Sequence, residues 1–453
     1  MSSTSDSDTA NLDSVIVLAC GKLGYCDIRP SQHTAIKCFL QGKDVFICLP
    51  TGSGKSLCYA ALPYAFDGLY GRESSIVIVV SPLIALMKDQ VSGITTYIRP
   101  YQCTLQVAVL NSKGLAATYV SSENREDLQL EKILRGEYKI LFISPEMLML
   151  NLAMREMLRT TVYKDNLVAF VIDEVHCVTK WGEYFRQEFK HLGEVRSIIP
   201  GHVKCMVMTA TATVATRNKV IAIVGLNDPV LVSASPDKAN IFYTVRENTS
   251  LSVEVAFTPI VAKLRTLRHK MPRAMVFCRR YEDCACIYDF FVSSLKEEFT
   301  EPIAAPNLAR FRLVDMYTGV TRKTVQDAII TAFCTGDSPL RIVICTVAFG
   351  MGLDCVNVSQ IIHWGPASDV DSYMQECGRA GRNGEPVTAL LYWKKKDFKS
   401  NTISKEMKVY CSNQGTCRRT ILASYFDCTK LNVNGCNCCD VCAVNCTCNS
   451  CNV

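Results

Sequence analysis

A glycine-rich turn at residues 50–54 is the first place where residue types and their spacing indicate chemistry. The apolar run Val45–Leu49 precedes it, and Lys55-Ser56 opens an apolar helical pattern. A strand, a glycine loop and a helix beginning with Lys-Ser are typical of a phosphate-binding loop, because backbone N–H groups at a helix N-terminus favour negative charge. In such a loop Lys55 contacts the β- and γ-phosphates and Ser56 holds Mg²⁺. Without the flanking elements, Gly-Lys-Ser would indicate only a surface turn.

Two acidic residues follow a second apolar strand pattern. Asp173 and Glu174 come directly after the run that ends at Ile172. Because ligands bind beyond the carboxyl ends of parallel strands, we expect these acids to face the same crevice as Lys55. Phosphoryl transfer to water needs a magnesium ligand, for which Asp173 is suited, and a group that orients the water, for which Glu174 is suited. A solvated acidic turn is the weaker interpretation, since the preceding run is fully apolar.

Hydroxyl groups end the next strand pattern, at Thr209 and Thr211. They are expected to point into the same crevice. A helix N-cap is the alternative interpretation of these threonines.

A pair of arginines, Arg379 and Arg382, closes a helical pattern in the second half of the chain. Planar cations brought against a γ-phosphate form an arginine finger. The alternative is that both arginines only complement the dipole at the C-terminus of their helix.

Alternating strand and helix patterns must position these residues. They run through residues 44–208 and again through 274–393, and a connector with Pro229 and Pro236 separates the two series. Such alternation predicts parallel strands joined by crossover helices, so we predict an α/β fold with two tandem doubly wound parallel-sheet domains. The first series includes a predicted strand over 106–110 and a single predicted helix over 146–158.

Composition sets further limits on the 453-residue chain. The net charge is only +6, so nucleic-acid contacts must come from local clusters of basic residues. No signal-peptide pattern and no apolar run of about 18 residues is found, which predicts a soluble intracellular protein without a membrane partner. Most of the 25 cysteines stand singly in apolar patterns, which is unlike a secreted disulfide framework. The predicted regions are a disordered N-terminus at 1–12, domains at 13–228 and 229–398, and a cysteine-rich module at 399–453.

Taken in order, these segments resemble the RecQ family of superfamily 2 DNA helicases. The matching segments are Arg29–Gln32, Leu49–Tyr59, Ser81–Gln90, Ile143–Glu146, Asp173–Cys177, Thr209–Thr213, Ala348–Asp354 and Gln375–Gly384. The resemblance extends from about Gly21 to Cys442. It implies two RecA-like domains, a small helical zinc-binding module, and an ATP-dependent 3′→5′ helicase. Such an enzyme acts on single-stranded and on forked or junction DNA in recombination and repair, in the nucleus or also in the cytoplasm.

The resemblance also implies roles for individual residues. Those matching the catalytic and coupling positions are Lys55, Asp173, Glu174, His176, Gln375, Arg379 and Arg382. Tyr25, Arg29 and Gln32 match the adenine-recognition positions. The other residues at nucleotide-binding positions are Thr51, Gly52, Ser53, Gly54, Lys55, Ser56, Gly352 and Asp354. The implied magnesium ligands are Ser56 and Asp173.

The segment Cys177–Phe189 resembles the aromatic-rich loop of the family. The resemblance implies DNA contacts by Trp181, Phe185 and Arg186, since aromatic rings stack on bases and arginine binds phosphate. On spacing alone, Trp181 and Phe185 would be preferred as a core-facing stripe of one helix.

The cysteine-rich end contains a Cys-x-x-Cys-x-x-Cys sequence, with one cysteine far upstream. Four thiolates in a tetrahedron form a closed structural zinc site. The resemblance implies Cys417, Cys436, Cys439 and Cys442 as the zinc ligands. Other thiols compete with this set, so a second metal, an exchanged ligand and simple redundancy all remain open; these thiols are Cys438, Cys446, Cys448 and Cys451.

Basic residues near the module have two interpretations. Arg418, Arg419 and the run Lys394–Lys396 either contact backbone phosphates or form a solvated basic face.

The sequence departs from the family pattern in several places. Leu49 stands where the strict phosphate loop has glycine, and Met316–Gly319 differs from the usual Tyr-His-Ala-Gly. The sequence stops at Val453, before the winged-helix and HRDC domains of the family, so the expected activity rests on ATP hydrolysis more than on processive unwinding. Two alternatives remain: a nucleic-acid-stimulated ATPase that translocates with weak unwinding, and a non-catalytic DNA-binding or annealing scaffold.

Overall fold

The chain in this computed structural model divides into two compact units, Met1–Ala234 and Ser235–Val453. The structure describes residues 4–81, 101–120, 127–176, 192–248, 252–335, 338–350, 355, 357–381, 383–428, 433 and 435–446. The division falls a few residues after the boundary predicted at 228/229, because one more strand belongs to the first sheet. The cysteine-rich module is part of the second unit and does not separate from it.

In the described part of the first unit, seven parallel strands form one sheet in the order β3-β4-β2-β5-β6-β1-β7. The strands are β1 Val45–Cys48, β2 Ile76–Val80, β3 Ala117–Val120, β4 Ile140–Ile143, β5 Leu167–Ile172, β6 Lys204–Thr209 and β7 Val230–Ser233. Strand β1 lies between β6 and β7, so the phosphate loop begins inside the sheet and not at its edge.

Helices pack on both faces of this sheet. They are α1 Thr4–Lys22, α2 Pro30–Leu40, α3 Ser56–Ala60, α4 Leu62–Tyr70, α5 Tyr101–Ser112, α6 Asp127–Leu134, α7 Pro145–Leu150, α8 Leu152–Met157, α9 Thr161–Asn166, α10 Leu192–Ile198 and α11 Val214–Val224. Successive side chains of β1 alternate between two cores, with Val45 and Ile47 in one and Phe46 and Cys48 in the other. Burial on both faces explains why these strands are unbroken apolar runs in the sequence.

Two sequence-based assignments in the first unit are wrong. Residues 106–110 lie in helix α5, and the strand of this region is β3. Five alternating residues are too few to distinguish a strand from part of a longer helix. The predicted helix over 146–158 is divided into α7 and α8, because Asn151 leaves the helical conformation and its side chain accepts a hydrogen bond from Met154 N. The first helix begins at Thr4, within the range predicted to be disordered.

The described part of the second unit contains a six-stranded parallel sheet in the order β10-β11-β9-β12-β13-β8. Its strands are β8 Ile241–Glu247, β9 Arg273–Cys278, β10 Val314–Tyr317, β11 Ile342–Cys345, β12 Val358–Trp364 and β13 Val387–Trp393. Its helices are α12 Val253–Leu267, α13 Tyr281–Leu295, α14 Lys323–Thr335, α15 Val370–Cys377, α16 Lys405–Ser412, α17 Arg418–Tyr425 and α18 Asp440–Val444. The predicted α/β fold with two parallel-sheet domains is confirmed.

Two buried arginines hold the C-terminal helices: Arg418 bonds these helices to one another, and Arg419 bonds them to the segment that leads into β8. Arg418, 4% exposed, donates to both carboxylate oxygens of Asp440, from Nε at 2.7 Å and from Nη2 at 3.0 Å. Arg419, 1% exposed, donates to the carboxylate of Asp237 and to the Lys238 carbonyl at 2.9 Å. Both interpretations that the sequence left open for these arginines are therefore wrong, because these side chains face neither solvent nor a ligand surface.

Within the described residues, every helix is too short or too polar to cross a lipid bilayer.

Candidate functional site

The phosphate loop follows β1 and ends where α3 begins at Ser56. Gly52 and Gly54 have φ angles of +81° and +73°, a backbone conformation that glycine adopts without strain. Lys55 Nζ donates to the carbonyl oxygens of Leu49 at 2.8 Å and Pro50 at 3.3 Å. The lysine ammonium is therefore held against the loop itself, at the carboxyl end of a central strand.

Side chains from the start of α2 bind the backbone of this loop. Gln32 Nε2 donates to the carbonyls of Ser53 at 3.0 Å and Gly54 at 2.9 Å, and Arg29 Nη1 donates to Gly52 at 3.0 Å. A Cβ atom at Gly54 would lie 2.5 Å from Gln32 Nε2, so this close approach requires glycine. Two of the three predicted adenine-recognition residues thus lie beside the phosphate loop.

The third of these residues, Tyr25, is 39% exposed. Lys113 Nζ lies 3.6 Å from the centroid of its ring and donates to the Leu23 carbonyl at 2.8 Å. One face of the tyrosine ring is therefore covered by a cation. No sequence pattern indicates this role for Lys113, because it is far from Tyr25 along the chain.

The acidic pair follows β5 in a strained backbone conformation. Glu174 has a φ angle of +49°, and its backbone N–H donates to Asp173 Oδ1 at 2.8 Å. Burial raises the pKa of Asp173 to about 7, the Glu174 carboxylate adds to this rise, and the nearby charge of Lys55 opposes it. Lys55 and the two acids therefore share one electrostatic environment, as the sequence predicts. A buried carboxyl with a perturbed pKa in such a place is typical of a functional site.

A histidine links the segment after β5 to the segment after β6. His176 Nδ1 lies 3.1 Å from Thr209 Oγ1 and 3.3 Å from Glu174 Oε2. Thr209 Oγ1 in turn donates to the Thr211 carbonyl at 2.9 Å. The cap of the following helix is Thr213, whose side chain accepts from Thr216 N, so neither Thr209 nor Thr211 is the cap.

The predicted catalytic and coupling residues of the second unit that the structure describes lie at α15. Gln375 is half-buried on this helix, and Arg379, 3% exposed, follows its end. The sequence analysis missed the pair next to them: His363 Nε2 lies 2.8 Å from Glu376 Oε2, and both side chains are buried. In the sequence His363 follows an apolar run but Glu376 does not, so no sequence pattern indicates this pair.

Several predicted site residues lie outside the described residues and remain predictions. They are Trp181, Phe185, Arg186, Gly352, Asp354 and Arg382.

A group of four thiols lies at the C-terminal helices. The sulfur atoms of Cys417, Cys438, Cys439 and Cys442 all lie within 4.8 Å of one another, and those of Cys417 and Cys438 are 3.6 Å apart. A tetrahedral zinc ion with Zn–S bonds of about 2.3 Å requires sulfur atoms roughly 3.8 Å apart, so this donor set fits zinc. The group differs from the predicted ligands at one position, because it contains Cys438 in place of the half-buried Cys436.

One thiol of this group is favoured as a thiolate. Burial acts to raise the pKa of Cys417, but hydrogen bonds from the backbone and the hydroxyl of Thr420 lower it to about 6. A thiolate at neutral pH is the form that ligates metals.

Two domain families match the chain. The DEAD/DEAH box helicase family matches residues 29–220, and the helicase conserved C-terminal domain family matches residues 258–384.

Solved structures with the same fold include Mycobacterium smegmatis helicase Lhr bound to ssDNA and AMP-PNP, with a TM-score of 0.59 at 20% identity over 93% of this chain and 51% of that chain. Another is S. cerevisiae Dbp5 bound to RNA and ADP BeF3, with a TM-score of 0.57 at 15% identity over 85% of this chain and 88% of that chain. The chain thus has the two RecA-like domains of a helicase.

Curated relatives define the family more closely. ATP-dependent DNA helicase Q5 of Rattus norvegicus is 31% identical over 90% of this chain and 42% of its own length. ATP-dependent DNA helicase RecQ of Pasteurella multocida is 29% identical over 92% of this chain and 60% of its own length. The chain belongs to the RecQ family of helicases, which confirms the resemblance of its motifs. It spans 42% and 60% of the lengths of these two relatives.

Proposed function

We propose that this chain is an ATP-dependent 3′→5′ DNA helicase that couples ATP hydrolysis to translocation on, and unwinding of, forked or junction DNA in recombination and repair. The bonded arrangement of the first unit carries this proposal. Lys55 lies near two acids at the carboxyl edge of one sheet, and His176 connects one of these acids, Glu174, to Thr209. The relatives named as ATP-dependent DNA helicases support DNA as the substrate. A nuclear location belongs to the same proposal.

Each residue of the first unit has a distinct role in this proposal. Lys55 binds the β- and γ-phosphates, Ser56 and Asp173 are the magnesium ligands, and Glu174 orients the attacking water. The magnesium ion, when bound, neutralises phosphate charge. His176 contacts both Glu174 and Thr209. Its imidazole ring therefore couples a displacement of the segment after β5 to a displacement of the end of β6. The residues proposed to hold the rest of the nucleotide are Tyr25, Arg29, Gln32, Thr51, Gly52, Ser53 and Gly54.

The remaining assignments rest on the family. Gln375, Arg379 and Arg382 are proposed to act on the transferred phosphate or to couple its release, together with Gly352 and Asp354. Trp181, Phe185 and Arg186 are proposed to contact DNA. A zinc ion on the four-thiol group is proposed to hold the C-terminal helices, as its donor set allows.

A forked duplex with a 3′ single-stranded tail tests the proposal. The purified chain is expected to separate this duplex only with ATP and Mg²⁺. A duplex whose only single-stranded tail is a 5′ tail should stay intact. Glu174→Gln is expected to bind ATP but to lose hydrolysis and unwinding together, because the water-orienting carboxylate is removed. Asp165→Asn, an exposed acid of the same unit, is the matched control. ATP hydrolysis without strand separation would favour the translocase alternative, and ATP binding without hydrolysis would favour the scaffold.

A further inference from the structure

A lysine near the start of the second unit holds the backbone of the segment that follows helix α15. This segment, residues 378–381, carries Arg379, and we call it the arginine turn. Lys238 Nζ donates to the carbonyl oxygens of Gly378 at 2.7 Å and Ala380 at 2.8 Å. Hydrogen bonds from a charged donor are shorter and stronger than those from a neutral donor. The lysine therefore fixes two carbonyl groups of the turn.

An asparagine two residues further along the chain holds the end of the same turn. Asn240 Nδ2 donates to the carbonyl oxygens of Gly381 at 3.0 Å and Glu385 at 2.6 Å, and the Asn240 carbonyl accepts from Val387 N at 2.9 Å. Gly381 has a φ angle of +63°, and a Cβ atom there would lie 2.4 Å from Asn240 Nδ2. The close approach of the asparagine therefore requires glycine at this position.

The bonded carbonyl groups stand directly before the two arginines. The Gly378 carbonyl belongs to the planar peptide group that leads into Arg379, and the Gly381 carbonyl belongs to the one that leads into Arg382. A hydrogen bond to the oxygen of a peptide group fixes the orientation of its whole plane. The lysine thus fixes the peptide group before one arginine, and the asparagine fixes the peptide group before the other.

The segment that supplies the lysine and the asparagine is itself held in place. The Asp237 carboxylate accepts from Tyr243 Oη at 3.0 Å and from Arg419, and the Lys238 carbonyl accepts from Arg419 Nη1 at 2.9 Å. Side chains position a functional group well only when their own supports are rigid. Residues 237–240 therefore provide a fixed support for the arginine turn.

We propose that Lys238 and Asn240 are positioning residues, which hold Arg379 and Arg382 in the orientation that ATP hydrolysis requires. The proposal rests on the function proposed above, in which these arginines act on the transferred phosphate. A purely structural role is the alternative: the lysine would only complement the dipole at the C-terminus of α15, and the asparagine would only extend the pairing of β8 with β13.

The test measures kcat and KM for ATP with saturating single-stranded DNA, at a temperature at which thermal melting shows every variant to be folded. Lys238→Met, which removes both charged hydrogen bonds, is expected to lower kcat by about 10-fold, because a small displacement of a catalytic group is costly. KM for ATP is expected to change by less than about 2-fold, since interactions made only in the transition state act on kcat. Asn240→Ala should lower kcat by a smaller factor, because its hydrogen bonds are neutral.

Two control variants separate positioning from stability. Lys263→Met removes an exposed lysine on α12 of the same unit and should match the wild type. Phe291→Leu lowers the melting temperature through the core on one face of the sheet, whereas Ala380 of the arginine turn belongs to the core on the other face. This variant should keep the kcat of the wild type. An equal fall in kcat for Phe291→Leu and Lys238→Met would overturn the positioning role, and so would an unchanged kcat in both Lys238→Met and Asn240→Ala.

Hydrogen–deuterium exchange of the backbone amides at 378–387 tests the turn without any hydrolysis. Exchange should be faster in Lys238→Met and Asn240→Ala than in the wild type and in Lys263→Met. A lower kcat with unchanged exchange would overturn the proposal, because the two side chains would then act by another route. If the wild type hydrolyses no ATP, the proposed function fails, and the exchange rates still decide whether these side chains hold the turn.

Discussion

The first unit keeps Lys55, Asp173 and Glu174 at the carboxyl edge of its sheet, whereas the second unit buries Arg418 and Arg419 at the start of one of its C-terminal helices. In the first unit the buried carboxyl is poorly compensated, and burial raises the pKa of Asp173 to about 7. In the second unit Arg418 and Arg419 each donate to a carboxylate and to backbone carbonyls. Charges that are incompletely matched mark a functional site, while charges that are fully matched hold a structure together.

This difference predicts that variants of the two regions will have opposite effects. Charge-removing substitutions in the first unit should abolish activity and cost little stability. Substitutions among the buried charges and thiols of the second unit should cost stability first.

The largest effect is expected from removing the metal proposed for the second unit. A structural zinc ion contributes on the order of 10 kcal/mol to the folding of a small module. Chelation should therefore unfold the C-terminal helices and leave nucleotide binding by the first unit intact. Metal analysis combined with calorimetry measures both effects. Loss of nucleotide binding on chelation would contradict the predicted difference between the two units.

Two neighbouring cysteines sharpen this prediction. Cys438→Ser should lose the zinc ion, because its sulfur atom belongs to the four-thiol group, whereas Cys436→Ser should keep one equivalent. The reverse result would show that the family pattern with Cys436 gives the true ligand set.

The next largest effect is expected from Lys55→Ala. Loss of the ammonium that binds phosphate should lower kcat/KM for ATP by ~10³-fold. Lys55 bonds only carbonyls of its own loop, so the free energy of unfolding should change by less than about 0.5 kcal/mol. Lys37→Ala is the matched control, because Lys37 pairs with Asp13 on the outside of the same unit. A large fall in the melting temperature with little kinetic change would assign Lys55 a structural role.

A smaller effect is expected from Arg419→Lys, which keeps the charge but removes the guanidinium fork. The variant should lose about 1.5–3 kcal/mol of stability, because a lysine cannot reach the Asp237 carboxylate and the carbonyls of Lys238 and Ile241 together. Chemical denaturation of the second unit measures this loss. Arg265→Lys, at an exposed ion pair with Glu298, should change stability by less than about 1 kcal/mol. Equal effects of the two substitutions would contradict a structural role for Arg419.

The same contrast explains which features can be predicted from the sequence. Most strands of the two sheets are recognisable because burial on both faces makes them continuous apolar runs, and the phosphate loop and acids follow two of these runs directly. Strands β7 and β8 are only partly buried, and neither is predicted from the sequence. Part of helix α5 is mistaken for a strand because a short alternating segment fits both periods. The burial of Arg419 cannot be predicted, because its partner Asp237 lies far away in the sequence.

The choice among the thiols shows a second limit. Spacing alone favours Cys436, since it completes a regular Cys-x-x-Cys-x-x-Cys pattern. The backbone turn before α18 instead brings the Cys438 sulfur into the group. This turn cannot be predicted from the spacing of the cysteines. Lys113 is likewise brought to the ring of Tyr25 only by tertiary contacts.

The most specific effect concerns the pH dependence of stability at Asp173. Its pKa is about 7 in the folded chain against an ordinary value of 3.8, so the folded state holds this proton more tightly than the unfolded state. Its contribution to stability is therefore complete below about pH 4 and is lost as the pH rises to about 7.

Asp173→Asn removes this dependence. Without magnesium, the variant should gain stability relative to the wild type by up to about 1.4 kcal/mol per pH unit across that range, with no further change above pH 7. Asp165→Asn, at an exposed position, should follow the wild type at every pH. Thermal melting from pH 5 to pH 8 measures the difference. Parallel curves for Asp173→Asn and the wild type would show that the pKa of Asp173 is not raised in the folded chain.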